Sequence, residues 1–376
     1  MKKILILAGE ESGVLYANGL AGRLAGIPGG CEIRGYSDYG FDTADLAVIG
    51  IWAVLRRLFF FLRVRRTMRR AIREWCPDAV CTIDYPGMNL PLAGYAKRLG
   101  IRAVHVVCPQ VWAWKKGRIP KIEKSLDRLC CFFPFEPALF KPGFAVFTGH
   151  PLADAIDGVR RPAVAGGVAR LVALLPGSRM GEIEHNFPVM LEAASAIATR
   201  FGEDIRFAIP AASQRALSKI DGILRGFRPR DGMAAPKTEV RLGGARGLLS
   251  SADCAAVASG TATLEAALAG CPTILVYRAG AVLAWLVRRF VKGVRHLGLA
   301  NIIWEKSGCV GEEPMREILQ EEFTPEALAE ALGRFVADAS ARETASRRLE
   351  EVCSTLRAAG KGGDALDAVA KEVVGG

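Results

Sequence analysis

An aspartate that closes an apolar run and meets a turn is placed for acid–base chemistry. Thr82-Ile83-Asp84-Tyr85-Pro86-Gly87-Met88-Asn89 has that form. A carboxylate there can take the proton of a hydroxyl nucleophile, a role worth roughly 10²–10⁴ in rate. The same residue equally fits a helix cap or a brace for the turn. Ala8-Gly9-Glu10-Glu11-Ser12-Gly13 follows the first apolar run in the same way. Its glycines allow a sharp bend and a close approach of ligand to backbone. The spacing is not GxGxxG, so it carries no dinucleotide fingerprint, and an ordinary strand-to-helix turn is the alternative.

Two loops in the second half repeat one arrangement. In Leu174-Leu175-Pro176-Gly177-Ser178-Arg179, Gly177 frees the backbone, Ser178 can cap the helix that follows and Arg179 suits a phosphate. A helix N-terminus adds about 0.3–1 kcal/mol for a nearby anion. In Ser259-Gly260-Thr261-Ala262-Thr263-Leu264-Glu265, hydroxyls and N–H groups can cradle a diphosphate, and Glu265 can accept from a ribose diol. Either loop alone fits a well-capped helix; two in one domain favour a nucleotide site. A further loop, Cys108 to Arg118, combines Trp112 and Trp114 with Lys115, Lys116 and Arg118. Aromatic faces can hold a sugar or an acyl chain and cations a phosphate; the alternative is two core tryptophans under a basic loop.

Metal and covalent chemistry find little support. No Asp-x-Asp occurs, so the usual carboxylate pair for a metal–nucleotide-sugar complex is missing. His105, His150, His185 and His296 have no ligand spacing. The ten cysteines form no paired CxxC units and read as reduced and mostly buried. Neither a GxSxG elbow nor a catalytic-cysteine signature is present.

These loops need elements to hold them. Short aliphatic runs alternate with helical patterns: 3–8, 79–84, 103–108, 129–133 and 145–148 in the first half, and 170–175, 205–210, 239–242, 252–258 and 273–277 in the second. Strands buried on both faces with helices between them predict parallel sheets. With 376 residues and 51% hydrophobic content the chain supports two cores. The expected fold is α/β, two doubly wound Rossmann-like domains with a cleft between them. The expected boundaries are 1–157 for the first domain, 158–169 for a Pro/Gly linker, 170–345 for the second, which carries the two glycine–hydroxyl loops, and 346–376 for a helical tail. The apolar run at Ile4–Ala8 is too short for a signal peptide, and no uncharged apolar run is long enough for a transmembrane helix.

The net charge of +11 points to an anionic partner. It is concentrated in two acid-free stretches. Residues 46–73 interleave Phe59, Phe60 and Phe61 with Arg63, Arg66 and six further arginines. Residues 266–304 hold Trp285, Arg288 and Arg289. Such segments suit an anionic membrane surface, at about 1 kcal/mol per cation. A phosphate groove offers no place for three consecutive phenylalanines, so nucleic acid is not expected. The plain alternative is an amphipathic helix with a core face and a solvated basic face.

In order, AGEESG (8–13), TIDYPGMN (82–89), PQVWAWKKGR (109–118), FPFE (133–136), GHPLADA (149–155), LLPGSR (174–179), SGTATLE (259–265), Tyr277-Arg278 and LGLANI (297–302) resemble the lipid-A-disaccharide synthase family, inverting glycosyltransferases of the GT-B fold. The resemblance implies transfer of a diacylglucosamine unit from UDP-2,3-diacylglucosamine to 2,3-diacylglucosamine 1-phosphate. The products are a β-1,6 disaccharide, the lipid A precursor, and UDP. It implies no metal and no cofactor. It also implies a peripheral position on the cytoplasmic face of the inner membrane, and dimers formed by exchange of C-terminal parts. Asp84 matches the family's essential aspartate, and Arg179 its donor-domain arginine. Gly177, Ser178, Ser259, Gly260, Thr261, Glu265, Tyr277 and Asn301 fall in the UDP-binding set. Glu10, Ser12, Gly13, Asn89, Trp112, Trp114 and Arg118 fall on the acceptor side. The chain departs from the pattern at Val14 and Gly87, where many relatives carry aspartate, and at Ala300, where proline is usual. Other UDP-sugar enzymes of the same fold, and a non-catalytic basic membrane- or nucleic-acid-binding protein, are the competing readings.

Overall fold

The computed structural model describes residues 1–9, 11–42, 46, 58–113, 116–156, 171–202, 204–278, 295–357 and 364–375. Glu10, Trp114, the expected linker, Trp285, Arg288 and Arg289 lie outside the described residues.

In chain order the first part runs β1 (Lys2–Ala8), α1 (Glu11–Ala25), β2 (Cys31–Arg34), α2 (Leu58–Trp75), β3 (Ala79–Ile83), α3 (Pro86–Arg98), β4 (Arg102–Val106), α4 (Ile119–Ser125), β5 (Arg128–Cys131), β6 (Ala145–Phe147) and α5 (Pro151–Ile156). The second part runs β7 (Leu171–Leu175), α6 (Met180–Phe201), β8 (Arg206–Ala211), α7 (Gln214–Gly226), β9 (Lys237–Leu242), α8 (Ala245–Ser251), β10 (Cys254–Ala258), α9 (Thr261–Leu268), β11 (Thr273–Tyr277), α10 (Leu299–Lys306), β12 (Arg316–Leu319), α11 (Pro325–Ala337) and α12 (Ala339–Ser354). A last helix, α13 (Ala365–Val374), follows.

The chain divides into two units, Met1–Asp154 with Leu356–Gly376, and Ala155–Thr355. The stretch expected as one helical tail, 346–376, is therefore split: all of α12 lies in unit 2, and α13 belongs to unit 1. Val369, Ala370 and Val373 bury themselves among Ile4, Ile6, Leu20 and Leu24.

Unit 1 holds a six-stranded parallel sheet of order β2-β1-β3-β4-β5-β6. Alternate side chains of a strand point to opposite faces, and β1 uses both. Ile4, Ile6 and Ala8 face α1 and α13, while Leu5 and Leu7 face α2 and α3. Unit 2 repeats the plan with order β12-β11-β10-β7-β8-β9, all parallel. Val172 and Leu174 pack on Phe187 and Met190 of α6. Ala173 and Leu175 pack on the opposite face with Ala266 of α9 and Leu349 of α12.

Helix α2 turns Phe61, Val64, Met68, Ala71 and Ile72 inward, an apolar stripe at helical spacing. This corrects the reading of Phe59–Phe61 as one membrane-facing block. Phe61 is 8% exposed in the core of unit 1, and the Phe60 ring packs edge-on against Phe41 and Phe61. Phe59 alone of the three is fully exposed, at 86%. No described helix is long and apolar enough to cross a membrane.

Candidate active site

In a doubly wound sheet the ligand crevice opens where neighbouring strands send the chain in opposite directions. In unit 2 that point lies between β7 and β10. A cavity of about 260 Å³ sits there. Gly177, Ser178 and Glu182 line it from the β7 side, and Ser259, Gly260, Thr261 and Glu265 from the β10 side. The two expected loops thus come together, and the carboxyl end of β8 adds Pro210 and Ala211.

The two loops are not equivalent. Ser178 does not cap α6 with its hydroxyl. Instead the Glu182 carboxylate turns back and accepts from the N–H groups of Ser178 (3.2 Å) and Arg179 (3.3 Å), while Arg179 Nη1 donates to it at 2.9 Å. A negative side chain already occupies the positive end of α6. Gly177, at φ +114°, makes room for it: a Cβ there would lie 2.6 Å from Glu182 Oε2. Arg179 remains 64% exposed, so most of its N–H donors are free for a ligand. At α9 the N-cap is Gly260, which brings no capping side chain; the Thr263 N–H turns to Gly260 O at 3.1 Å, and Gly260, Thr261 and Ala262 line the cavity. Glu265 is held by Arg246 Nη2 at 3.5 Å.

Tyr277 ends β11 half-buried. Burial, then the Glu182 carboxylate, raise its pKa, with Arg179 opposing. Asn301 is not at the cavity. It is wholly buried and its carboxamide is spent on Met315 O (2.7 Å), Met315 N (3.0 Å) and Glu317 Oε1 (2.9 Å). It ties α10 to β12, and the UDP-binding assignment is corrected accordingly. Asn186, which the sequence reading passed over, bridges Pro176 O (3.0 Å) and Arg278 N (3.1 Å), fixing the loop after β7 to the end of β11. Its only signal in the sequence is a polar residue on the apolar face Ile183–Phe187–Met190.

In unit 1 the reversal falls between β1 and β3, so the loops bearing Gly9–Gly13 and Asp84 flank it. Asp84 and Tyr85 both have left-handed backbones, φ +49° and +48°, strained for residues with a side chain. The Tyr85 ring lies over Gly9, where a Cβ would meet its Cδ1 at 2.5 Å. Gly13 packs α1 against Ala8 and Ile83, at distances that would also admit a Cβ. Ser12 stands in the first turn of α1. Asp84 is half-buried; burial raises its pKa and the Tyr85 N–H, donating to Oδ1 at 2.7 Å, opposes this. Asn89 does not face a ligand. It is buried and donates to Leu7 O (3.1 Å), Ile83 O (3.0 Å) and Asp84 O (2.8 Å), so it acts as a brace under the aspartate.

Trp112 is likewise buried rather than presented to a ligand. Its Nε1 donates to Glu136 at 3.2 Å, and the Phe133 N–H donates to the other oxygen at 3.2 Å. Burial pushes Glu136 up to about 8. Cys108 and Cys131 lie within 4.8 Å of this carboxyl, the one such grouping among the described residues. Cys108 reaches it because Val107 has φ +74°. That reverses the strand alternation and sends Cys108 into the core with Leu129 and Cys131. Arg118 is half-exposed at the start of α4.

Arg63, Arg65, Arg66, Arg70 and Arg73 are exposed on α2. Arg65, Arg66, Arg69, Arg70 and Arg73 line a groove of about 690 Å³ with Tyr95, whose ring carries the Arg69 guanidinium at 5.1 Å.

Two doubly wound units, one with a crevice of glycine–hydroxyl loops and one with a strand-end aspartate, define the GT-B architecture. Solved structures of that architecture are similar over the whole chain. MurG from Acinetobacter baumannii is 15% identical with a TM-score of 0.57, covering 100% of this chain and 99% of that one. The UDP-GlcNAc 2-epimerase from Neisseria meningitidis bound to UDP-GlcNAc is 9% identical with a TM-score of 0.62, covering 100% of each.

The family described as lipid-A-disaccharide synthetase (LpxB) matches residues 4–364. The lipid-A-disaccharide synthase of Trichlorobacter lovleyi is 33% identical, covering 96% of this chain and 94% of its own. That of Coxiella burnetii is 34% identical, covering 91% of each. The chain belongs to the lipid-A-disaccharide synthase family and is a glycosyltransferase of lipid A biosynthesis.

Proposed function

We propose that this chain transfers the diacylglucosamine unit of UDP-2,3-diacylglucosamine to the 6-hydroxyl of 2,3-diacylglucosamine 1-phosphate. Unit 2 holds UDP, with Glu265 accepting from the ribose diol and Ser259, Gly260 and Thr261 meeting the diphosphate. Unit 1 supplies Asp84. The acceptor oxygen attacks the donor's anomeric carbon from the side opposite the diphosphate, and Asp84 takes its proton. The bond from that carbon to the diphosphate oxygen breaks, its electron pair leaves with UDP, and the configuration inverts. The transition state has oxocarbenium character, so placed charge matters more than covalent chemistry. Arg179 and the start of α9 stabilise the negative charge that grows on the leaving group.

The observation that carries this reading is Asp84 itself, a half-buried carboxyl at the reversal point of a doubly wound sheet, with its proton affinity raised by burial. The exposed arginines and Phe59 of α2 support docking on an anionic membrane from its cytoplasmic side, where both acylated substrates reside. In detergent micelles with EDTA, wild type yields disaccharide and UDP by mass spectrometry, and Asp84→Asn yields almost none while binding UDP normally. Full turnover by Asp84→Asn removes the base assignment. UDP binding without disaccharide in the wild type moves the acceptor to another hydroxyl compound, with Val14 and Gly87 the first positions to restore to aspartate.

A further inference from the structure

We infer that Tyr36 is a positioning residue for Asp84, acting through the carboxamide of Asn89. The inference rests on Asp84 being the base. Tyr36 follows β2, is 3% exposed, and donates its hydroxyl to Asn89 Oδ1 at 2.8 Å. Asn89 Nδ2 faces three carbonyl oxygens, Leu7 on β1, Ile83 on β3 and Asp84. The chain of contacts therefore crosses from beyond β2 to the catalytic loop.

The carboxamide has one productive orientation. Turned over, its oxygen would meet three carbonyl oxygens, and its NH₂ would meet the Tyr36 O–H. The three carbonyl oxygens select the orientation, and the tyrosine hydroxyl, donating to Oδ1, holds the carboxamide against them. Burial raises the Tyr36 pKa further above its ordinary value, so it remains a donor throughout the working range. What it holds is strained: Asp84 and Tyr85 are consecutive left-handed residues with side chains. Such a backbone persists only when its surroundings fix it. The Asp84 peptide is fixed at its N–H by Val106 O (2.9 Å) and at its carbonyl by Asn89. Without the Tyr36 hydroxyl the second tie loosens, residues 84–85 relax and the carboxylate moves from its line to the acceptor hydroxyl.

Tyr36→Phe deletes one oxygen and keeps the ring in its core. Full-length wild type, Tyr36→Phe, Asp84→Asn, the double variant, and Val64→Ala are compared by steady-state kinetics, UDP calorimetry and thermal unfolding. Val64→Ala weakens the same core without touching the brace. The expected result is a fall in kcat of about 10- to 100-fold for Tyr36→Phe, with both KM values and UDP affinity unchanged. Val64→Ala keeps wild-type kcat, and Tyr36→Phe produces no further loss in the Asp84→Asn background, as expected of residues acting as one unit. Wild-type kcat in Tyr36→Phe, an equal loss in Val64→Ala, or an undiminished extra loss in the double variant overturns the brace. Full turnover by Asp84→Asn alone overturns the base reading first, and is seen without altering Tyr36. Asn89→Ala breaks the same chain from its other end. It is expected to lose kcat alone, and unchanged kcat there overturns the inference even where Tyr36→Phe fails to fold.

Discussion

Glu182 does for the start of α6 what a bound anion does at other helix N-termini, and Gly177 is the residue that admits it. Gly177→Ala puts a Cβ 2.7 Å from the Glu182 Cβ at a backbone φ of +114°, a conformation costing about 1–3 kcal/mol for a residue with a side chain. The expected outcome is a lowered melting temperature together with weaker UDP binding by calorimetry, because Ser178 and Arg179 share the displaced loop. Unchanged UDP affinity would separate this loop from the nucleotide site. Glu136 gives a residue-scale test of a different kind. Its folded pKa of about 8 stands above the ordinary 4.5, so across that interval the native state binds more protons than the unfolded chain and stability falls as pH rises. His105 and His150, lowered to about 3 and about 4 by burial, act with the opposite sign below their ordinary 6.5. From about pH 7.5 to 8 the unfolded imidazoles too are mostly neutral, and the slope there belongs largely to the glutamate. Denaturant titrations should show wild type losing stability over that window and Glu136→Gln losing much less; parallel slopes for the two proteins would refute the buried acid.

At the scale of elements, α2 separates two roles that its sequence runs together. Phe61→Ala removes a core ring and should cost about 3–5 kcal/mol of stability, whereas Phe59→Ala, at a fully exposed position, should stay within about 0.5 kcal/mol. Binding to vesicles containing anionic lipid should fall for Phe59→Ala and for a combined Arg63→Glu, Arg66→Glu protein, and chemical denaturation separates the stability effects. Undiminished vesicle binding in the charge-reversed protein would leave α2 as a solvated basic helix. The same helix explains what was legible beforehand. An acid-free run of phenylalanine and arginine announces an amphipathic element, but only the phase of the helix tells which phenylalanine turns inward. Strands buried on both faces were readable as aliphatic runs. β2 (CEIR) and β12 (REIL) were not, because each lies at a sheet edge and keeps charged residues half-solvated. The loops that hold Asp84, Arg179 and Ser259 followed from strand ends and glycines. Tyr36, Asn186 and Glu182 escaped because their roles come from contacts with backbone that the sequence does not bring together. Asn89, Asn301 and Trp112 were singled out for ligand and proved to be internal ties, since a polar group in an apolar helix is as well explained by a buried carbonyl as by a substrate.

At the scale of the whole molecule, the last helix decides how far the two units depend on each other for stability. α13 completes unit 1, although the residues before it, Ala155–Thr355, form unit 2. Val369 and Val373 are fully buried against β1 and α1, and at about 1.5–3 kcal/mol per buried valine they contribute roughly 3–6 kcal/mol. The partly exposed pairs from Arg23 to Asp364 and Asp367, and from Arg128 to Glu372, add little by comparison. A contribution of that size is a large share of the 5–15 kcal/mol that typically separates a domain from its unfolded state. Removing residues 358–376 should therefore lower the melting of unit 1 alone. Calorimetry should resolve an early transition assigned to unit 1 and a second near the wild-type temperature. UDP should still raise only the second, because the residues lining the cavity proposed for UDP all lie in Ala155–Thr355. Disaccharide synthesis should be lost with the early transition while UDP binding survives it. A single transition shifted as a whole would mean that the two units unfold cooperatively, and an unshifted pair would mean that α13 covers unit 1 without stabilising it.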